Sequence, residues 1–115
     1  MLTSDNFDIS EDMTALLDWL EAQGGGVRTY QLFQSRVLEL AQVYPEHAAA
    51  CRLLADLAHQ FAYAFDGMPL SVDVATAAHA RLRSYVAQFA TVRGERDTLA
   101  LLNRVAVDQL HQGAE

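Results

Sequence analysis

Apolar residues recur every three or four positions along almost the whole chain. The clearest run is spaced 3, 4, 3, 4 and 3 residues apart: Ala75, Ala78, Leu82, Tyr85, Phe89 and Val92. This spacing places side chains on one face of an α-helix, whereas a half-buried strand alternates apolar and polar residues. No stretch of four or more residues bounded by turn-forming residues alternates in that way. The sequence therefore predicts an all-α fold.

Glycine, proline and capping residues divide this pattern into five segments. We predict helices over residues 10–23, 29–44, 45–66, 71–93 and 96–111. The three glycines at 24–26 form a hinge, and we expect Gly24 to adopt the left-handed conformation that often ends a helix. Pro45 suits the first turn of the third helix, Ser71 suits the N-cap of the fourth, and Gly94 separates the fourth from the fifth.

The two longest predicted helices, 45–66 and 71–93, are joined by a short turn that contains glycine and proline. Such a connection favours an antiparallel αα-hairpin, and the shorter helices must then cover its remaining apolar faces. A chain of 115 residues, 51% of them apolar, can bury a core without a disulfide or a metal. We therefore predict a compact four- or five-helix bundle in a single domain, 1–115, with frayed ends at 1–8 and 113–115.

Each of the other helices has a predicted buried stripe. We expect the following residues to face the core: Met13, Leu16, Leu17, Leu20, Phe33, Val37, Leu40, Tyr44, Ala50, Leu54, Leu57, Phe61, Ala64 or Phe65, Leu99, Leu102, Ala106 and Leu110. On the fifth helix, Leu101 and Val105 form a second stripe away from this face. A helix that is apolar on two sides is enclosed between layers or carries a subunit interface. We expect burial of these two residues in the interior or in a homodimer, in preference to a different protein.

The net charge of −7 is concentrated at one end, because residues 1–21 contain six acidic residues and no basic one. A block of one sign can steer a chain towards an oppositely charged partner surface. Four of these acids belong to the predicted first helix: Glu11, Asp12, Asp18 and Glu21. They are either a partner-binding surface or the ordinary solvated face of an amphipathic helix.

The residues that could carry chemistry do not form a recognisable site. His47 and Cys51 are four positions apart on one helix face, but two ligands are too few for a zinc or di-iron centre. A thiol among alanines is expected to be buried, which raises its pKa and leaves it unreactive. Asp56 and His59 are expected on the solvent side of the same helix. We therefore predict no catalytic residue, no metal and no cofactor, and we do not expect an enzyme.

Charge and hydropathy also bear on nucleic acids, membranes and location. Residues 81–104 contain five arginines and two acids, but the arginines scatter over several helix faces, and the net charge of −7 opposes phosphate binding. The longest stretch without a charged residue has nine residues, far below the ~20 of a membrane span. The first residues lack the pattern of an export signal, and Cys51 is the only cysteine. We expect no nucleic-acid binding, no membrane insertion and a cytoplasmic location.

A short helical chain with an acidic end and surplus apolar surface is typical of a protein that acts by binding another protein. We predict a homodimeric regulator, inhibitor, assembly factor or toxin-neutralising protein with an unidentified protein partner. The residues assigned to binding are Glu11, Asp12, Asp18, Glu21, Trp19, Tyr63, Leu101 and Val105.

Two alternatives remain open. The first is a ligand-binding or metal-binding bundle, whose pocket between the two long helices would use His47, Cys51, His79, Tyr85 and Phe89. The second is a regulator of a nucleic-acid enzyme that mimics phosphate with its acidic residues. Binding of that kind would weaken steeply with added salt.

Overall fold

The computed structural model describes residues 9–110 and has no strand in that range. Five α-helices follow one another along the chain: α1 Ile9–Glu21, α2 Val27–Val43, α3 Ala48–Ala64, α4 Val72–Thr91 and α5 Glu95–Ala106. The predicted all-α bundle of four or five helices is therefore confirmed, and five helices are observed. The predicted fraying at 1–8 and 113–115 lies outside the described residues. Within 9–110, no helix is both long and apolar enough to cross a membrane.

The local signals at helix boundaries were mostly correct. The Ser71 hydroxyl accepts a hydrogen bond from the Val74 N–H at 3.2 Å, which confirms the cap of α4. Pro45 opens a single 3-10 turn, Pro45–His47, and α3 begins directly after it. The left-handed stop at Gly24 was wrong, since among the described residues only Gly67 and Gly94 have positive φ. The glycine loop instead packs closely on α4, since a Cβ at Gly25 would lie 3.3 Å from the carbonyl oxygen of Ala75.

Helix pairing differs from the predicted hairpin. The most extensive interface is between α2 and α3, which the 3-10 turn at Pro45–His47 connects, and the second is between α1 and α4. Tyr30 near the start of α2 lies against Phe61 near the end of α3, with ring centroids 4.3 Å apart, so these helices are antiparallel. Helices α3 and α4 contact each other only slightly. The hairpin predicted from 45–66 and 71–93 is therefore wrong.

The reason lies in the second buried side of α3. Besides its predicted stripe, α3 buries small residues that the apolar spacing did not mark: Cys51, Ala55, Ala58 and Ala62. Small side chains allow helix backbones to approach closely, so α3 can be enclosed by two neighbours instead of one. Alanine contributes little to an apolar pattern, which is why the sequence indicated only one packing face. Helix α5 then packs against both α3 and α4.

The predicted face of α5 was also wrong. Leu101 and Val105 are buried, with 1% and 2% exposure, whereas Leu99 is 58% exposed and Ala106 is also exposed. The predicted stripe relied on Leu110 belonging to the same helix. Because α5 ends at Ala106, Leu110 reaches the core from the segment that follows and does not mark a helix face. The interior alternative for Leu101 and Val105 is thus the observed one.

Candidate protein-binding groove

An open groove lies between α1 and α2, which contact each other little. Its volume is about 460 Å³. Four residues of α1 and four of α2 line it: Asp12, Ala15, Leu16, Trp19, Arg36, Glu39, Leu40 and Val43. In each helix these residues occupy positions i, i+3, i+4 and i+7, which lie on one helix face. The groove is therefore formed by the facing sides of two regular helices and needs no loop.

The apolar part of the groove is only partly covered. Leu16 is buried, Trp19 and Leu40 are half-buried, and Val43 is 57% exposed. The guanidinium carbon of Arg36 lies 4.5 Å from the centroid of the Trp19 ring, in a cation–π contact. This contact draws the indole towards α2. Tryptophan and arginine are the residue types most often found at the energetic centre of protein interfaces.

Asp12 closes one end of the groove. Its carboxylate accepts a hydrogen bond from the hydroxyl of Tyr44, a buried residue that follows α2. The bond ties the first turn of α1 to the end of α2. Asp12 is also in the first turn of α1, where a negative charge favours the helix dipole. Its main role is therefore to hold the two groove walls together, and it is less accessible than the sequence suggested.

The remaining acidic residues form an exposed rim. Glu11 and Asp18 flank the groove residue Ala15, four positions before it and three after it, and Glu39 lines the opposite wall. All three carboxylates are exposed, as is Glu21 at the end of α1. Of the predicted binding residues, Asp12 and Trp19 line this groove, Glu11 and Asp18 lie beside it, and Glu21 is not among its lining residues.

The other predicted binding residues do not join this groove. Tyr63 on α3 is 78% exposed, and its ring stacks on that of His59 at 6.3 Å. Leu101 and Val105 are enclosed in the core of the chain itself, so they are not accessible to a partner. Their selection as binding residues was wrong, because they face the interior side of α5.

The residues considered for a ligand or metal pocket have separate surroundings. Cys51 is fully buried, and burial raises the pKa of its thiol to about 11, so the thiol is protonated near neutral pH. His79 donates from Nε2 to the Leu20 carbonyl at 2.9 Å. Tyr85 donates to Asp108, and burial together with that carboxylate raises the pKa of Tyr85 to about 12. No group of three His, Cys, Asp or Glu side chains able to hold a metal occurs within residues 9–110.

The α2 wall of the groove was missed at the level of sequence. Leu40 was assigned to the core, and Arg36, Glu39 and Val43 were given no role. Their spacing of 36, 39, 40 and 43 repeats the spacing 12, 15, 16 and 19 on α1, and this was the available signal. What the spacing alone does not show is that these two faces would meet and remain half open.

Comparison with known proteins provides no relative to guide the assignment. No protein-family model, curated protein or solved structure matches the chain.

Proposed function

We propose that the chain is a helical module that binds a basic amphipathic segment of another protein in the groove between α1 and α2. The observation that carries this proposal is a half-open apolar wall, formed by Trp19, Leu40 and Val43, beside a rim of exposed carboxylates. An amphipathic helix that lays its apolar face in a groove is a recurrent mode of recognition. Regulators, inhibitors, assembly factors and toxin-neutralising proteins all act through contacts of this kind.

The dimensions of the groove suit a helical segment. The lining residues on each wall extend from i to i+7, which at 1.5 Å per residue is about 10.5 Å. A partner helix with apolar residues at i, i+3 or i+4, and i+7 has anchors over the same length. Two turns of such a helix would match the exposed part of the wall from Trp19 to Val43.

Charge favours a basic occupant over a second copy of this chain. The carboxylate of Glu39 lines the groove, those of Glu11 and Asp18 are exposed next to its residue Ala15, and Arg36 is the one basic residue among those that line it. In a symmetric dimer through this face, each acidic rim would meet an identical acidic rim, and like charges would oppose association. A lysine-rich or arginine-rich segment would instead be attracted over a distance of about 8–10 Å at physiological salt. Homodimerisation is therefore an alternative outcome of the experiment below.

We also propose that the chain is not an enzyme and that it is located in the cytoplasm. The buried thiol of Cys51 is protonated near neutral pH, which removes its nucleophilic form. A single buried cysteine has no partner for an internal disulfide, which suits a reducing compartment.

A fluorescence titration tests the proposal directly, because Trp19 is the only tryptophan of the chain. The probe is a synthetic helical peptide with leucine at i, i+3, i+4 and i+7 and lysine elsewhere. We expect saturable binding with a blue shift of Trp19 emission, and a sharp loss of affinity with added salt. The same peptide with glutamate in place of lysine should not bind. Sedimentation should find the free chain monomeric at micromolar concentration.

Two valine variants provide the matched control. Val43→Asp places a charge in the groove, whereas Val72→Asp places the same charge at another exposed valine, on α4. We expect Val43→Asp to weaken peptide binding by at least about tenfold and Val72→Asp to leave it nearly unchanged. Equal loss in both variants, equal binding of both peptides, or a stable dimer through the groove would each contradict the proposal.

A further inference from the structure

The groove between α1 and α2 has two unlike ends. In the first turn of α1, Asp12 accepts a hydrogen bond from Tyr44, which follows α2. Near the end of α1, Trp19 lies beneath the guanidinium of Arg36. The two helices are therefore antiparallel, with Arg36 and Trp19 at one end of the groove. The other end is formed by Asp12 and by Val43, which follows Arg36 by seven residues, or about 10.5 Å of helix.

Arg36 is the basic group of this groove, and its charge is not used within the chain. Within residues 9–110, its guanidinium contacts the Trp19 ring but forms no ion pair and donates no hydrogen bond. Asp12 lies at the opposite end of the groove, and Glu39 does not pair with Arg36 although it lines the same wall. The Arg36 side chain is exposed, so its N–H groups are accessible to an occupant of the groove.

An occupant that covers this end of the groove removes water from Arg36. A guanidinium that loses its hydrogen bonds to water and gains none in return raises the free energy of the complex. A lysine of the occupant placed there would add repulsion between like charges. A carboxylate removes both costs, because it accepts two parallel N–H bonds from a guanidinium, and arginine can make this pair while it lies over an aromatic ring.

We propose that the segment bound in the groove carries one acidic residue, at the end of its apolar stripe that meets Arg36 and Trp19, and basic residues elsewhere. This inference rests on the proposed function and defines its partner as a segment of mixed charge. The carboxylate pairs with Arg36, and the basic residues lie near the exposed carboxylates of Glu11, Asp18 and Glu39. Because the two ends of the groove differ, the acidic residue also sets the direction in which the segment lies.

A peptide scan tests this inference on the original chain. The parent is the helical peptide with leucine at i, i+3, i+4 and i+7 and lysine elsewhere, now labelled with fluorescein. Each lysine is replaced in turn by glutamate or by glutamine, and fluorescence anisotropy gives the two Kd values, which differ only through the charge. We expect glutamate to bind about threefold to tenfold more tightly than glutamine next to an end of the leucine stripe. At the central lysines, glutamate should bind no more tightly than glutamine.

The parent peptide and the scan distinguish failure of the proposed function from failure of this inference. If the parent does not bind, the proposed function is wrong and the inference fails with it. If the parent binds but glutamate is nowhere preferred over glutamine, the groove accepts a basic segment and only the inference is wrong. A peptide with glutamate at both ends should bind no more tightly than the better single variant, because Arg36 lies at one end only. A further gain from the second glutamate would contradict the inference.

Variants of two arginines on α2 show whether Arg36 is the pairing group. Arg36→Gln should abolish the preference for glutamate over glutamine. Arg28→Gln removes the same charge from an exposed residue that does not line the groove, and it should leave the preference unchanged. Equal losses of the preference in the two variants would show that only diffuse positive charge is involved, and would reject Arg36. The scan on the original chain decides the inference even if Arg36→Gln fails to fold.

Discussion

Helix α2 meets another helix on each of two sides, and the two interfaces differ. Towards α3 it presents Tyr30, whose ring packs on that of Phe61, and Phe33 and Val37 on the same helix face are also fully buried. Towards α1 it presents Arg36, Leu40 and Val43, none of which is fully buried. The first interface is closed and the second is a groove.

The difference follows from side-chain size and charge. Towards α3, large buried rings fill the interface, since the Tyr30 and Phe61 ring centroids lie 4.3 Å apart. Between α1 and α2, Arg36 lies over the Trp19 ring, and these two helices contact each other little. One side of α2 therefore contributes mainly to stability, and the other leaves apolar surface for a partner.

Truncating one apolar side chain in the closed interface and one in the groove should give the largest difference in the free energy of unfolding. Phe61→Ala removes a fully buried ring from the closed interface and should lower the free energy of unfolding by about 3–5 kcal/mol. Val43→Ala in the groove should cost less than about 0.5 kcal/mol, because the side chain is 57% exposed. Urea denaturation measures both. A loss above about 2 kcal/mol for Val43→Ala would mean that the groove belongs to the core.

The closed interface and the groove were not equally predictable from the sequence. The helices were predicted from the spacing of apolar residues and the cap at Ser71 from the preference of serine for that position, and both signals are local. Helix pairing depends on which faces fit together, and the alanines that decide this for α3 give a weak apolar signal. For the groove, Trp19 and the acids of α1 were identified, but Leu40 has the pattern of a core residue. Whether such a face is covered is decided by tertiary packing.

The hydrogen bond between Tyr44 and Asp12 connects the core to the groove. Tyr44 is buried, and Asp12 belongs to the α1 wall of the groove. Tyr44→Phe removes the hydroxyl and leaves the partly buried carboxylate without this donor. We expect a loss of about 1.5–3 kcal/mol in the free energy of unfolding, as for other hydrogen bonds to charged groups.

Tyr63→Phe is the matched control for this bond, since Tyr63 is 78% exposed, and it should change stability by less than about 0.5 kcal/mol. Fluorescence of Trp19 gives a second measurement: loosening of α1 in Tyr44→Phe should shift its emission, and Tyr63→Phe should not. If Tyr44→Phe and Tyr63→Phe changed the free energy of unfolding and the Trp19 emission equally, the hydrogen bond from Tyr44 to Asp12 would not stabilise the fold.

The pH dependence of stability provides the smallest and most local comparison. Burial raises the pKa of the Cys51 thiol from 9.0 to about 11, so the folded chain holds this proton more tightly than the unfolded chain. The contribution of the thiol is therefore fully present below pH 9 and is lost as pH rises towards 11. At pH 10 the loss should be on the order of 1 kcal/mol. Cys51→Ala removes this dependence, although its small cavity lowers stability equally at every pH.

Urea denaturation at a series of pH values from 7 to 10.5 isolates the thiol, because the tyrosines titrate in both proteins and cancel in the difference. Burial also raises the pKa values of Tyr30 and Tyr85. The original chain and Cys51→Ala should therefore lose the same amount of stability from these tyrosines at higher pH. The difference in stability between the original chain and Cys51→Ala should be constant below pH 9 and should shrink above it. If the difference in the free energy of unfolding stayed constant at every pH, water would reach Cys51. The core around α3 would then not be closed, in contrast to the comparison with the groove.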